Sequence, residues 1–271
     1  MLRHDDAGAT GGSLLLAVNI GNTHIHIGVF ETAGIAAAWR VHTESDKSAD
    51  EYAVLLRDFL DSAGHSPIRS ENWGAVLVSV VPPLTPVLVQ LCRDHFQLDP
   101  LVVTPARVTG MPIRYENPRA LGADRLVGAV AAKEKYGAPV IVVDFCTATT
   151  FNVVNRAGEF AGGAIAPGPN LAAEALYQRT AQLPRVDLAV PPQALATNTV
   201  HAIQSGILFG YVGLVEGMIG RLRDELGEPH APVVATGGRA KLIAPYVRGI
   251  RAVEENLILE GLRMIYALNT K

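Results

Sequence analysis

The chain has 271 residues, 49% of them apolar and 18% charged, a balance that supports a buried core and excludes disordered, collagen-like and low-complexity chains. With 23 basic against 26 acidic residues the formal net charge is -3, so there is no basic field to gather nucleic acid, and a nucleic-acid partner is not expected. Two cysteines, Cys92 and Cys146, are too few for a disulfide framework and fit a reducing compartment, with the cytoplasm as the expected location.

Residues 1–13 mix charge with Gly and Ala and read as a disordered tail. The apolar run after them is too short for a secretory signal, and no uninterrupted apolar stretch approaches the roughly 20 residues that cross a bilayer, so no membrane partner is expected. Residues 14–30 read as a strand, a tight turn at Gly21, Asn22 and Thr23, and a returning strand in which Ile25, Ile27 and Val29 alternate with His24, His26 and Gly28. Over 50–63, Tyr52, Leu55, Leu56, Phe59 and Leu60 recur at helical spacing behind Ser48, a suitable N-cap. A strand over 75–81 stops at Pro82 and Pro83, a helix follows to about Phe96, and 101–103 reads as a strand.

Further along, 124–136 predicts a helix, 140–144 a buried strand and 150–155 its return. Residues 158–169 are rich in Gly and Pro and predict a backbone-dominated loop around a short strand. A glycine-interrupted helix over 199–226, a strand at 233–236 running into Gly237 and Gly238, and a helix over 257–268 complete the chain. The apolar stripe from Ile203 to Ile219 in the long helix offers an interface.

Aligning Asn19 with Asp144 sets AVNIGNTHIHIGVF against VVDFCTATTFNVVN. Each has an apolar strand, a polar residue near its end, a small-residue turn and a returning strand, which points to a duplicated α/β architecture, with a chance echo as the competing explanation. The GxxxxGK[ST] and GxGxxG fingerprints are absent. A strand-turn-strand with small residues can still aim consecutive backbone N–H groups into one concavity, and Asn22, Thr23, Thr147 and Thr149 add side-chain donors. Two such turns could clasp a polyphosphate, whereas GNT alone is a plain hairpin turn.

Taken singly, other residues have ordinary explanations. Asp124 and Arg125 read as a helix-start carboxylate beside a surface cation. His24 and His26 share a strand face at a spacing compatible with metal ligation, but no third ligand accompanies them. Cys92 reads as a small buried hydrophobe, Trp39 and Trp73 as packing residues, and Glu254 and Glu255 as complements to the dipole of the last helix.

The ordered set NIGNT, YENPRALGADR, DFCTATTF, GGAIAPG, LPRV, NTVHAIQSG, ATGG and LEGL spans nearly the whole chain and resembles the type III pantothenate kinase family. That family belongs to the acetate and sugar kinase, actin and heat-shock chaperone superfamily. The resemblance implies an α/β fold of two duplicated ribonuclease-H-like halves, here expected over 14–118 and 119–271, acting as a homodimer. The implied activity is ATP-dependent phosphorylation of pantothenate to 4'-phosphopantothenate, the first step of coenzyme A biosynthesis.

The same resemblance implies roles. ATP phosphates would lie along Asn19, Ile20, Gly21, Asn22, Thr23, His24, Ile25 and His26 and at Thr147, with Gly237 and Gly238 near the adenosine. Pantothenate would meet Tyr115, Gly122, Ala123, Asp124, Arg125 and Thr199, with Asp124 as general base. Asp144 would hold a monovalent cation, potassium or ammonium, and magnesium would accompany ATP.

The chain departs from the family pattern at Asn19 and Asn152, where Asp is usual, and at Cys146, where Gly is usual. An asparagine keeps the shape of an aspartate but not the charge that attracts a divalent cation. Two readings follow: a working kinase whose magnesium is held mainly by ATP and water, or a catalytically impaired relative kept for ligand binding or a transcription-regulatory role.

Overall fold

Short apolar strands separated by tight turns build the first part of the chain. In this computed structural model residues 14–65, 72–106 and 110–270 are described, and the tail expected over 1–13 lies outside them. The chain divides into two compact units, one ending at Val103 and the other beginning at Thr104.

In the first unit β1 (Leu14–Ile20), β2 (His24–Glu31) and β3 (Gly34–His42) form an antiparallel meander. Helix α1 (Ala49–Ser62) leads to β4 (Trp73–Ser79), parallel to β1, and α2 (Leu84–Phe96) leads to β5 (Leu101–Val103), parallel to β4. The sheet order is therefore β3-β2-β1-β4-β5. Ser48 caps α1 as its sequence predicts: the Glu51 N–H donates to Ser48 Oγ at 3.3 Å, and the Ser48 N–H donates to Glu51 Oε2 at 2.8 Å. Tyr52, Leu56 and Leu60 of α1 and Leu84, Leu88 and Leu91 of α2 share a core with Leu16, Val18 and Ile20 of β1. Because strand residues alternate in direction, Ala17 and Asn19 face the opposite side of the sheet. Cys92 is buried in this core, and that burial pushes its thiol up to about 12. Trp39 stacks on Phe59 with ring centres 5.5 Å apart.

The second unit repeats the plan. Helix α3 (Ala123–Tyr136) precedes an antiparallel meander of β6 (Val140–Phe145), β7 (Ala148–Val154) and β8 (Phe160–Pro167). Helices α4 (Pro169–Arg179) and α5 (Thr199–Leu226) then lead to β9 (Val233–Thr236), parallel to β6. The short α6 (Ala240–Ile243), β10 (Ile250–Val253), parallel to β9, and α7 (Leu257–Asn269) follow. The order β10-β9-β6-β7-β8 is that of the first sheet read from its other edge, so the echo between the Asn19 and Asp144 segments reflects a repeated sheet.

One face of this second sheet packs on α5. Ile141, Val143, Phe145 and Phe151 share a core with Ile203, Ile207, Tyr211, Val215 and Ile219. The stripe that looked available as an interface is therefore internal to the unit. Helix α5 has the length and composition of a membrane span, and this core accounts for its apolar character. The other sheet face, carrying Val142, Asp144, Thr150 and Asn152, lies on the side of α3, which packs on β6, β7 and α7. Helices α3 and α7 cross closely: a Cβ on Gly261 would come within 2.3 Å of the Val127 carbonyl oxygen.

The structure departs from the sequence expectations in specific places. The short strand predicted within the loop over 158–169 takes up most of it as β8, and α4, α6 and β10 have no counterpart among the sequence expectations. Glu254 and Glu255 make side-chain pairs ahead of α7: Glu254 accepts from Lys135 Nζ at 2.8 Å and from the Tyr136 hydroxyl, while Glu255 lies 2.6 Å from Lys241 Nζ.

Candidate functional site

Each unit presents one strand-turn-strand. In the first, Asn19 is the penultimate residue of β1, paired with His26 of β2 and Val78 of β4. Its Oδ1 is buried without a hydrogen-bond partner. Gly21 N–H donates to the His24 carbonyl at 3.1 Å, and a Cβ on Gly21 would stand 2.9 Å from that oxygen, so the turn is drawn as tight as a glycine allows. Thr43 ties the turn to the end of β3: its hydroxyl donates to the Gly21 carbonyl at 2.7 Å and its N–H to the Thr23 carbonyl at 2.9 Å. Asn22 and His24 are exposed, while Thr23 and His26 are half-buried. Ile20 and Ile25 are fully buried in the core, so only their backbone is available to a ligand. His24 meets His42 edge to face, and among the described residues no group of three or more His, Cys, Asp and Glu could hold a metal.

In the second unit Asp144 takes the place that Asn19 has in the first, paired with Thr150 of β7 and Thr236 of β9. The turn after it exposes Cys146 and Thr147. Gly168, which caps α4, donates its N–H to the Thr147 carbonyl at 3.0 Å, and a Cβ on Gly168 would lie 2.3 Å from that oxygen. Gly237, at φ +93°, closes over the same turn: its absent Cβ would lie 2.2 Å from Asp144 Oδ1 and 2.6 Å from the Phe145 carbonyl. Gly238 beside it is exposed. Thr149 is wholly buried and its hydroxyl has no hydrogen-bond partner.

The segment 122–125 opens α3. Gly122 is the N-cap residue but offers no side chain, and the Asp124 carboxylate supplies an acceptor instead, taking the Arg125 N–H at 2.8 Å. Burial holds the Asp124 carboxyl above its ordinary 3.8, against the opposing pull of that N–H and of the Arg125 charge. Cys146 reports the surroundings of its turn: its thiol is raised first by desolvation and then by the negative charge of Asp144, with Asp124 adding a smaller push. The two carboxylates therefore act on one turn.

Arg125 turns inward rather than lying on the surface. Its Nε donates to Asn152 Oδ1 at 2.6 Å, its guanidinium carbon stands 5.8 Å from the centre of the Phe160 ring, and its Nη2 is buried without a partner. Tyr115 meets the same ring at 6.3 Å, because 112–114 runs beside β8: the Phe160 N–H donates to the Pro112 carbonyl and the Arg114 N–H to the Phe160 carbonyl, both at 2.8 Å. The sequence-predicted Tyr115 and Arg125 thus meet at the Phe160 ring, with Asp124 beside Arg125 in the first turn of α3. Ala123 is buried in the first turn of α3. Thr199 is not drawn into that cluster; it is exposed at the start of α5, behind Asn198, whose Oδ1 accepts the His201 N–H at 2.9 Å.

Sequence reasoning did not single out Phe160, Gly163 or Gly168. The only available signal for the glycines was their position in GGAIAPG, and nothing local marks Phe160. For a hard monovalent cation the Asp144 carboxylate, one residue from the end of β6, is a donor of suitable chemistry. For a divalent ion the first unit offers the buried amide oxygen of Asn19. That fits an ion carried in by a polyphosphate rather than one caged by protein carboxylates.

Two copies of one five-stranded sheet, each with a meander, a polar residue before its first turn and two parallel crossovers, define a duplicated ribonuclease-H-like fold of the kind found in sugar kinases and actin. A solved structure of a putative 2-dehydro-3-deoxygalactonokinase from Sinorhizobium meliloti shares this fold, with a TM-score of 0.55 at 13% identity, covering 94% of this chain and 99% of that one. The chain belongs to the type III pantothenate kinase family, whose model matches residues 15–221. It is 49% identical over 258 residues to a type III pantothenate kinase of Geobacter sulfurreducens, covering 94% of this chain and 99% of the relative. It is also 49% identical over 257 residues to that of Moorella thermoacetica, covering 95% of this chain and all of the relative.

Proposed function

We propose that this protein transfers the γ-phosphoryl group of ATP to the primary hydroxyl of pantothenate, forming 4'-phosphopantothenate and ADP at the entry to coenzyme A biosynthesis. The observation that carries this reading is the pairing, in the first turn of α3, of a half-buried carboxylate with raised proton affinity and a guanidinium with a buried, unpartnered nitrogen. Membership of the family supplies the substrate.

Asp124 accepts the proton of the pantothenate hydroxyl as its oxygen attacks the γ-phosphorus in line and ADP departs. Raised proton affinity suits this task, since a base matched to its work must hold the proton it takes. Arg125 Nη2 donates to the pantothenate carboxylate, and Tyr115, Gly122 and Ala123 border the substrate. The turn from Asn19 to His26 and Thr147 offer N–H and side-chain donors to the phosphates, and Gly237 and Gly238 leave backbone close to the adenosine. Asn19, with the phosphates, would hold magnesium, which when bound would supply charge neutralisation. Asp144 would hold a potassium or ammonium ion.

We place the enzyme in the cytoplasm as a homodimer. Its free cysteines suit a reducing compartment, and the exposed Leu171, Leu176, Tyr177, Leu195 and Val200 provide apolar surface for a second copy. The test is product formation by purified protein with pantothenate and ATP, in the wild type and in Asp124→Asn.

A further inference from the structure

The two small-residue turns are buttressed in the same way, from the residue that follows the third strand of each meander. In the first unit that residue is Thr43, just after β3, whose N–H donates to the Thr23 carbonyl at 2.9 Å. In the second it is Gly168, just after β8, whose N–H donates to the Thr147 carbonyl at 3.0 Å. The first turn has a further lock, because the Thr43 hydroxyl donates to the Gly21 carbonyl at 2.7 Å. Gly168 has no side chain to do this and has no room for one: a Cβ there would lie 2.3 Å from the Thr147 carbonyl oxygen and 2.4 Å from that of Cys146.

The missing hydroxyl comes from α5. Tyr211 is buried in the core between α5 and the second sheet, and a buried phenol requires a hydrogen-bond partner. Its hydroxyl donates to the carbonyl of Pro167, the last residue of β8, and burial holds the phenol above its ordinary 10.0, so it remains a donor. Pro167 has no N–H to give to Ala148, its partner in β7, and Gly168 is followed by Pro169 at the first position of α4. The joint from 167 to 169 is therefore stiff, and the tyrosine bond fixes Gly168 against the turn. Because carbonyl and N–H point opposite ways in a trans peptide, carbonyls closed on Gly168 send the N–H groups of Thr147 and Ala148 to the other side.

We infer that Tyr211 is a positioning residue for the second phosphate turn: through Pro167 and Gly168 it holds the Thr147 and Ala148 N–H groups aimed at the polyphosphate of ATP. This rests on the reading of Thr147 as a phosphate contact. The tyrosine itself touches no ligand, and its effect is preorganisation, which spares the donors a rearrangement when the phosphates arrive.

The test is calorimetric binding of the β,γ-imido analogue of ATP with magnesium, and of pantothenate, beside steady-state kinetics and thermal melts. Tyr211→Phe removes one hydroxyl and leaves the ring in the core. It should raise the Kd of the analogue and the KM of ATP about three- to tenfold, the size of one lost hydrogen bond, while the Kd of pantothenate stays within about twofold. Replacing Tyr211 by 4-aminophenylalanine, whose N–H can donate to the same carbonyl, should recover most of that loss. Pro167→Gly keeps the bond but loosens the joint through which it acts, at an exposed residue, and should also weaken the analogue selectively, so a folding defect in either variant leaves the other to decide. Unchanged analogue binding, or equal weakening of analogue and pantothenate, overturns the inference and leaves the proposed function standing. Wild-type protein that binds neither ligand would instead defeat the proposed function, and the inference with it.

Discussion

Asn19 and Asp144 hold equivalent places in two copies of one sheet, each one residue from the end of its strand and each paired with an antiparallel neighbour on one side and a parallel one on the other. One copy presents an amide there and the other a carboxylate. The difference bears directly on magnesium, because an amide oxygen can ligate a divalent ion but contributes no charge to attract it. Asn19→Asp should lower the magnesium concentration for half-maximal turnover by about three- to tenfold, with little effect on the rate at saturating magnesium. A magnesium titration of the two proteins checks this, and an unchanged response would remove the charge explanation.

Asp124 should show its burial in two ways. Its folded-state proton affinity is raised, so the activity limb that reports its deprotonation should lie above the ordinary carboxylate value of 3.8, visible in the pH profile of kcat/KM. A raised carboxyl favours folding below its unfolded value, and that contribution is lost as pH rises through the folded value, because the buried group must then ionise. Asp124→Asn should therefore gain thermal stability relative to wild type at neutral pH and lose that advantage near pH 3, as a melting series across pH would record.

The capping box at Ser48 is a local stability device in the first unit. Ser48→Ala removes the acceptor for the Glu51 N–H and should cost about 1 kcal/mol, measured by denaturant unfolding, with substrate KM values unaltered.

Gly261 permits the close crossing of α3 and α7. Gly261→Ala would press a methyl group onto the Val127 carbonyl and should destabilise the protein by about 1–3 kcal/mol. Because α3 carries Asp124 and Arg125 in its first turn, turnover should fall as well, which separates this change from Ser48→Ala in parallel unfolding and rate measurements.

What was legible in the sequence was what local chemistry decides. The hairpin at Gly21, the cap at Ser48, the strands at 101–103 and 233–236 and the helices α1, α2, α3, α5 and α7 each carry a period or a stop signal that the structure honours. Strand β3 is legible only as a strand-like segment at Trp39, because GIAAAWRVH has one half-buried face and one exposed face and its alternation of size and polarity is weak. Strand β8 reads as shorter than it is because Gly162 and Gly163 adopt φ of +126° and +156° within it, a conformation needed where Gly163 approaches the Phe151 carbonyl. In the candidate site, Asp124 and Arg125 could be named from their motif, but the clamp on Arg125 could not. Its parts, Asn152, Phe160 and Gly163, come from two other strands and meet only through sheet register and the packing of α3.

The most direct measurement is the formation of 4'-phosphopantothenate by purified protein given pantothenate, ATP and magnesium, with potassium or ammonium present or omitted. Wild-type protein should turn over, and Asp124→Asn should be slower by at least about a hundredfold. No product under any of these conditions, or equal turnover in the Asp124 variant, would contradict it.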